Sequence, residues 1–300
     1  MDRLLTLKIF VAVGEEQGFA AAARRLALSP PAVTRAVAEL ELRLGVQLLQ
    51  RTTRIVRLTD AGARYLTDCK RLLAELEDAE LALSGAHGEL RGVISVTASV
   101  MFGRLFVAPL LLEFLERHKQ VSGRALLVDR VVDMIEEGLD VGVRIAELAD
   151  ASFTAIRVGA VRRVVCASPA YLKRHGVPKS PRDLTELTAI SFAPDRAVPA
   201  WSFRDGRRTV SIRPNSRLMV NSTEVALQAA LSGAGVTRVL SYMAASEVKA
   251  GRLRLILEEF EPAPLPVHVI HREGKHAAAR VRAFVDFAVA KLRENPLLDR

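Results

Sequence analysis

In the stretch from Leu28 to Gly45, LSPPAVTRAVAELELRLG, bulky apolar residues fall at Val33, Val37, Leu40 and Leu44. Intervals of four, three and four place them on one face of a helix, and that face is predicted core. The other face is thin and mildly basic, with Thr34, Arg35, Ala38 and Glu39. Ser29 is a good N-cap, Pro30 at the first helical position loses no hydrogen bond, and Gly45 is a good stop. Upstream, Leu7, Phe10, Val11 and Gly14 keep helical spacing, and FAAAARRLAL from Phe19 to Leu28 predicts a second, short helix whose alanines allow close approach to a neighbour. The turn between Leu26 and Pro31 is short, so the pattern predicts helix, helix, tight turn, helix, the layout of a helix-turn-helix. In that layout the third helix enters the DNA major groove by its N-terminal end. Ser29, Pro30, Pro31, Thr34 and Arg35 are then what the groove meets, and their small size lets the helix sit deep.

After Gly45 the segment VQLLQRTTRIVRLTDAG carries Arg51, Arg54 and Arg57 three residues apart around a short hydrophobic run. This predicts a two-stranded wing whose Arg51, Thr52 and Arg54 contact phosphates or the minor groove. A small three-helix bundle with merely solvated arginines fits the same pattern. From Asp60 to His87 there is one long proline-free helical pattern, in which Gly62, Cys69, Leu76 and Leu83 recur every seven residues, with Tyr65, Leu72 and Ala79 three places later. A repeat of that length predicts a partner helix and hence a homodimer, with Cys69 a buried apolar residue of the seam.

The pattern changes at GELRG, Gly88 to Gly92, a predicted hinge. Beyond it, short β-rich runs (VISVTAS, ALLV, DVGVRI, VVCAS, VHVIH) alternate with helical segments such as RLFVAPLLLEFLERH and VALQAALSGAG, which indicates an α/β sheet domain. Composition agrees with this division. The 300 residues are half hydrophobic, enough for about two domains. The net charge of +9 favours a polyanionic partner. Cys69 and Cys166 form no CxxC motif and no disulfide framework, as in a reducing compartment. The N-terminus resembles a signal peptide only faintly, because Lys8 interrupts its apolar run and Glu15 and Glu16 follow. The longest uncharged run, Val225 to Thr237, is 13 residues, short of the ~20 a bilayer span needs. A cytoplasmic protein without membrane contact is expected.

The recognition-helix start SPPAVT, the following LELRLG, the wing RTTR and the LTDAG opening of the long helix closely resemble the LysR-type transcriptional regulators of bacteria. The resemblance continues through DRVVDMIEEGLDVGVRI, RRVVCASPAYLKRHG and VRAFVDFAVAKL, and so covers essentially the whole chain. It departs at QGFAAAA, where Ala20 replaces an expected Ser or Thr cap of the second helix, and at RHKQVSG around His118, read as a surface loop. The resemblance implies an α/β protein with an N-terminal, all-α winged helix-turn-helix over residues 1–60 and a linker and dimerisation helix over 61–88. An effector-binding domain over 92–300 follows, two-lobed and like the periplasmic binding proteins, with one lobe about 92–161 and 266–300 and the other about 162–265. It further implies double-stranded DNA with paired half-sites as one partner, a small-molecule effector as another, and a homodimer that assembles to a homotetramer. Arginines near the cleft suggest, by analogy, that the effector is a small anion.

Ligands in open α/β sheets sit where strands end and helices begin. Ser99, Met101 and Phe102 after the first strand, Asn221, Ser222 and Thr223 before a later helix, Arg144 at a strand end, and Phe192 and Trp201 are therefore the expected effector contacts, although capping or packing would account for any one of them. No catalytic or metal site is expected, and no cofactor. His268 and His271 are three apart on a predicted strand and point to opposite faces; with His276 they make a poor metal site. GAG at Gly233 to Gly235 follows a helix, Ser168 lacks a nucleophile elbow, and Glu136 with Glu137 reads as a solvated helix end. The chain therefore reads as a sequence-specific, effector-responsive regulator of transcription and not an enzyme. A non-specific architectural DNA binder, or a solute-binding domain carrying a DNA-binding-like head, are the alternatives. Replacing Leu76 and Leu83 by charged residues is expected to abolish specific DNA binding in a gel-shift assay. Circular dichroism should show the C-terminal domain still folded; operator binding at native affinity would exclude this helix as the dimer interface.

Overall fold

A computed structural model describes residues 2–51, 56–83, 90–148, 153–193, 200–271 and 277–298. The chain divides into two compact units, Met1–Gly92 and Val93–Arg300.

In the first unit, α1 (Arg3–Glu16), α2 (Phe19–Arg25) and α3 (Pro30–Leu44) are followed by β1 (Leu49–Arg51), β2 (Val56–Leu58) and the long α4 (Asp60–Leu83). β1 and β2 pair antiparallel, Leu49 opposite Leu58 and Arg51 opposite Val56. α3 begins and ends as its sequence predicts: the Ser29 side chain accepts from the Ala32 N–H, Pro30 is the first helical residue, and Gly45 closes the helix in the left-handed conformation at φ 66°. Val33, Ala36, Val37 and Leu40 are buried against Ile9, Phe10 and Val13 of α1 and Ala22 and Ala23 of α2. Leu44, expected in the same stripe, is half out of this core at 39% exposure.

Two local expectations are corrected. The cap of α2 is Gly18, in extended backbone and without a side-chain hydrogen bond. Ala20 therefore lies inside the helix and replaces no cap. The seven-residue repeat of α4 is also divided. Cys69 is fully buried in the core of its own unit, with Tyr65 and Leu66 packed against it, and Gly62 sits on the Leu48 carbonyl. The first half of the predicted intermolecular seam is thus spent inside the chain, because α4 must cover α1 before it can meet anything else. Leu72, at 47% exposure, lies beyond that cover.

The second unit holds two five-stranded sheets. The first has the order β4-β3-β5-β14-β6, from β3 (Gly92–Ala98), β4 (Val121–Leu127), β5 (Val141–Ile145), β6 (Thr154–Val161) and β14 (Leu265–His271). The second has the order β11-β8-β12-β7-β13, from β7 (Arg163–Ala167), β8 (Thr188–Phe192), β11 (Asn215–Val220), β12 (Val236–Leu240) and β13 (Arg254–Ile256). A hairpin of β9 (Trp201–Asp205) and β10 (Arg208–Ile212) is separate, its turn made possible by Gly206 at φ 59°. Helices α5 (Val100–Phe102), α6 (Ala108–Arg117), α7 (Pro169–His175), α8 (Thr223–Leu231), α9 (Ser241–Lys249) and α10 (Ala279–Arg293) complete the unit. Between α5 and α6, Gly103–Val107 form a widened π turn. It lies just before Pro109, which has no N–H to give the carbonyl four residues earlier.

The chain passes from the first sheet to the second between β6 and β7 and returns into β14. β6 and β14 pair antiparallel from Val161 opposite Leu265 to Thr154 opposite His271, so both crossings lie side by side. Arg162, between β6 and β7, reaches both Glu261 carboxylate oxygens on the returning segment, at 2.9 and 3.2 Å. Its N–H also donates to Ser241 Oγ at the start of α9.

The segment expected to end as a solvated helix at Glu136 and Glu137 is instead a series of turns, in which Asp133 Oδ1 accepts the N–H groups of Ile135 and Glu136. Glu137 pairs with Arg130 at 2.6 Å. At RHKQVSG, His118 closes α6 and its ring packs on Phe114 at 4.5 Å before β4 begins.

A Cβ built on Gly62 would lie 1.9 Å from the Leu48 carbonyl oxygen, backbone that cannot swing aside. Gly62→Ala is therefore expected to destabilise the first unit by about 1–3 kcal/mol or more. Gly14→Ala, whose nearest neighbours are the end of the Leu66 side chain at 3.0 Å, should cost less. Urea unfolding of the two variants, followed by helical circular dichroism, checks the ranking; equal midpoints would refute it.

Candidate DNA-reading and effector sites

Ser29, Pro30, Pro31, Thr34 and Arg35 form one exposed edge at the start of α3. Thr34 is exposed, and its hydroxyl donates back to the Pro30 carbonyl at 3.0 Å, which leaves the oxygen lone pairs able to accept. Arg35 has no acidic partner among the described residues. The wing is fastened to this helix by a residue whose role the sequence reading missed: Glu41 Oε1 accepts from the N–H groups of Leu48 and Leu49, at 2.9 and 3.0 Å. A lone acid inside the otherwise apolar and basic LELRLG was the signal. Thr59 adds a second fastening, its Oγ1 donating to Gln47 O at 2.8 Å and accepting from Gly62 N at 2.9 Å. Arg51 ends β1, and Arg57 stands exposed on β2 opposite Gln50. Thr52 and Arg54 lie outside the described residues.

In the second unit a cavity of about 900 Å³ opens between the two sheets. Of the residues expected there, Ser99, Arg144, Phe192, Trp201 and Thr223 line it. Met101, Phe102, Asn221 and Ser222 do not. Met101 and Phe102 turn inward with α5, and the Phe102 ring packs on Phe106 and Tyr242 at 4.7 and 5.4 Å. Asn221 is exposed, and Ser222 caps α8 by accepting from the Val225 N–H. Strand-to-helix turns do reach the cavity, but each presents one or two side chains to it and uses the rest for capping and core.

The sequence reading missed the turn 128–135, which forms one wall, together with Arg163 on β7, Arg238 on β12 and Met243 on α9. A single arginine inside a strand of apolar residues, as in VTRVL, was an available sign, since a buried strand excludes arginine unless something needs its charge. Burial lowers the pKa of Arg144 and Arg163. Arg238 is pushed down to about 10, first by burial and then by the neighbouring Arg163 charge. Its guanidinium lies over the Trp201 ring at 5.4 Å.

Other chemistry is sparse. Burial pushes the Cys69 thiol up to about 11 and Cys166 to about 12, so both are protonated at neutral pH. Among the described residues no group of three His, Cys, Asp or Glu side chains could hold a metal ion, and no helix is long and apolar enough to cross a membrane.

Residues 4–63 match the bacterial regulatory helix-turn-helix proteins of the lysR family, and residues 87–293 match the LysR substrate binding domain. A transcriptional repressor of Pseudomonas aeruginosa is 31% identical over 298 residues, covering 99% of this chain and 94% of that protein. A transcriptional regulator of Xanthomonas campestris is 34% identical over 95% of this chain and 84% of its own length. The solved structure of CrgA, a LysR-type transcriptional regulator from Neisseria meningitidis, is 30% identical, covers 97% of this chain and 99% of its own, and superposes with a TM-score of 0.63. With a fastened wing beside an exposed recognition edge in one unit and a cavity between two sheets in the other, the chain belongs to the LysR-type family of transcriptional regulators, DNA-binding proteins that carry an effector-binding domain.

Proposed function

We propose that the chain acts as a dimer on paired operator half-sites, reads bases with Thr34 and Arg35, anchors the wing through Arg51 and Arg54, and is controlled by a small molecule held in the cavity between its two sheets. The observation that carries the DNA side is the free, exposed Arg35 in the first turns of α3, next to a Thr34 methyl, on a helix edge otherwise made of small residues. A guanidinium there is suited to a bidentate contact with a guanine edge, and a threonine methyl to a thymine methyl. Dimerisation is supported by the seven-residue apolar repeat of α4 and by its Leu72, which lies outside the core of its own unit at 47% exposure. The regulatory side is supported by a cavity within the size range of small-molecule sites, lined by apolar and aromatic side chains with a few converging polar groups.

Arg35→Ala is expected to relax base preference at one position of each half-site, a loss of roughly 1–3 kcal/mol of discrimination. Arg54→Ala should weaken operator and scrambled DNA by similar factors. It should also lower the slope of log affinity against log salt by about one unit for each phosphate that the arginine neutralises. Salt titrations of both variants on both duplexes separate the two roles. If Arg35→Ala weakens both duplexes equally, Arg35 binds phosphate and base reading rests on Thr34 and the proline pair.

Thr223→Phe, which fills the cavity from the first residue of α8, should suppress the effector response of a reporter gene while operator affinity stays within a few-fold. Loss of DNA binding together with the response, in a folded variant, would exclude the cavity as an independent effector site.

A further inference from the structure

The cavity carries more positive charge than its own acids neutralise. Four arginines, Arg130, Arg144, Arg163 and Arg238, line it against two aspartates, Asp129 and Asp133. Both aspartates already accept backbone N–H groups, Asp129 from Val100 at 3.0 Å and Asp133 from Ile135 at 2.7 Å. Arg130 is paired with Glu137. The other three arginines have no carboxylate within ion-pair distance among the described residues.

These three are divided between the sheets. Arg144 belongs to β5 of the first sheet and its Nη2 is buried without a hydrogen-bond partner; the Oγ of Ser99, beside the Tyr242 hydroxyl, lines the same cavity. Arg163 and Arg238 belong to neighbouring antiparallel strands of the second sheet. Arg238 stands opposite Val165 and Leu240 opposite Arg163, so the two arginines share a face and lie diagonally adjacent. Arg238 is restrained by the Trp201 ring and by long contacts of 3.5 Å to the carbonyls of Ala200 and Ser202, neither of which supplies a counter-charge. Much of the remaining lining is apolar, including Val143 and Ile270 from the first sheet and Phe192 and Met243 from β8 and α9.

A guanidinium stays protonated in proteins, so burial without a counter-charge leaves it under-solvated, and two such groups side by side repel. An acid at each end would remove both penalties. We infer that the effector has two acidic groups at opposite ends of an apolar body, one held by Arg144 and Ser99 and the other by Arg163 and Arg238. The inference rests on the reading of the cavity as the effector site. Arginine favours carboxylate or phosphate oxygens in paired contacts, and both kinds of acid fit. A ligand held at both ends links the two sheets directly, so binding favours whichever arrangement of the lobes brings the arginine groups to the right separation.

Titration calorimetry on the full chain tests this with the straight-chain alkanedioic acids from succinate to suberate, each beside its own monoamide. One chain length is expected to bind at least tenfold more tightly than its monoamide. Arg144→Met should erase that preference, and so should Arg163→Met combined with Arg238→Met. Monoamides binding as tightly as the diacids throughout the series, or a preference that survives in both variants, would overturn the inference.

The site itself is tested separately by incubating the full chain and its Ala155→Trp variant, which fills the cavity from β6, with a small-molecule extract of bacterial cells. Bound compounds are then identified by mass spectrometry. A diacid retained by the native chain and absent from Ala155→Trp supports the inference. A compound that distinguishes the two proteins in the same way but lacks two acidic groups overturns it and keeps the cavity as the effector site. Identical compounds on both proteins would overturn the cavity reading as well.

Discussion

The regulatory unit depends on the pairing of β6 with β14. These strands run antiparallel from Val161 opposite Leu265 to Thr154 opposite His271, and each leads into or out of the second sheet. Because the two crossings are neighbours, the chain passes between the sheets at one place, and a cavity lined from both sheets lies between them. The Arg162 to Glu261 pair and the Arg162 N–H bond to Ser241 tie the crossings to each other and to the first residue of α9. A hinge of two adjacent strands can bend without breaking either ladder.

The charge distribution around that space follows from the same arrangement. Each sheet buries its own apolar core, for example Leu184, Ala189 and Val236 with Trp201 and Phe203 in the second lobe. An arginine directed into either core would have to be neutralised there. Arg144, Arg163 and Arg238 are tolerated because they face the cavity, where solvent or a ligand can approach. Burial lowers the pKa of all three, and for Arg238 the neighbouring Arg163 charge lowers it further.

In the DNA-binding unit the governing constraint is the placement of a short wing beside a helix. Three residues per strand cannot hold a hairpin in place by ladder bonds alone. Glu41 and Thr59 do this with side-chain bonds to the backbone of Gln47, Leu48 and Leu49, and Gly62 lets α4 pass directly over the Leu48 carbonyl. The recognition edge of α3 is left free of such duties. Ser29 spends its hydroxyl on the cap, and the rest of the edge is small or unpartnered.

Much of this was legible in the chain itself. Helix α3 was readable to the residue, because Ser29, Pro30 and Gly45 act through local backbone chemistry and Val33, Val37 and Leu40 mark a face by spacing alone. The wing and the alternation of strands and helices were readable for the same reason, and five expected cavity residues could be placed because strand ends reach such clefts by topology. What sequence could not supply was the direction of side chains whose neighbours are distant in the chain. Met101 and Phe102 lie close to Ser99 in sequence, yet both are buried away from the cavity, Phe102 against Tyr242, and Ser222 is committed to its own helix end while Thr223 reaches the cavity. The heptad spacing of α4 marked an apolar stripe but not its partner, which for Cys69 is the unit's own core. Arg163 and Arg238 are 75 positions apart and become neighbours only through the β7 to β12 ladder. Local propensity and periodicity therefore determined the elements. Only the long-range packing, which decides which faces meet and which charges are left without partners, determined the site.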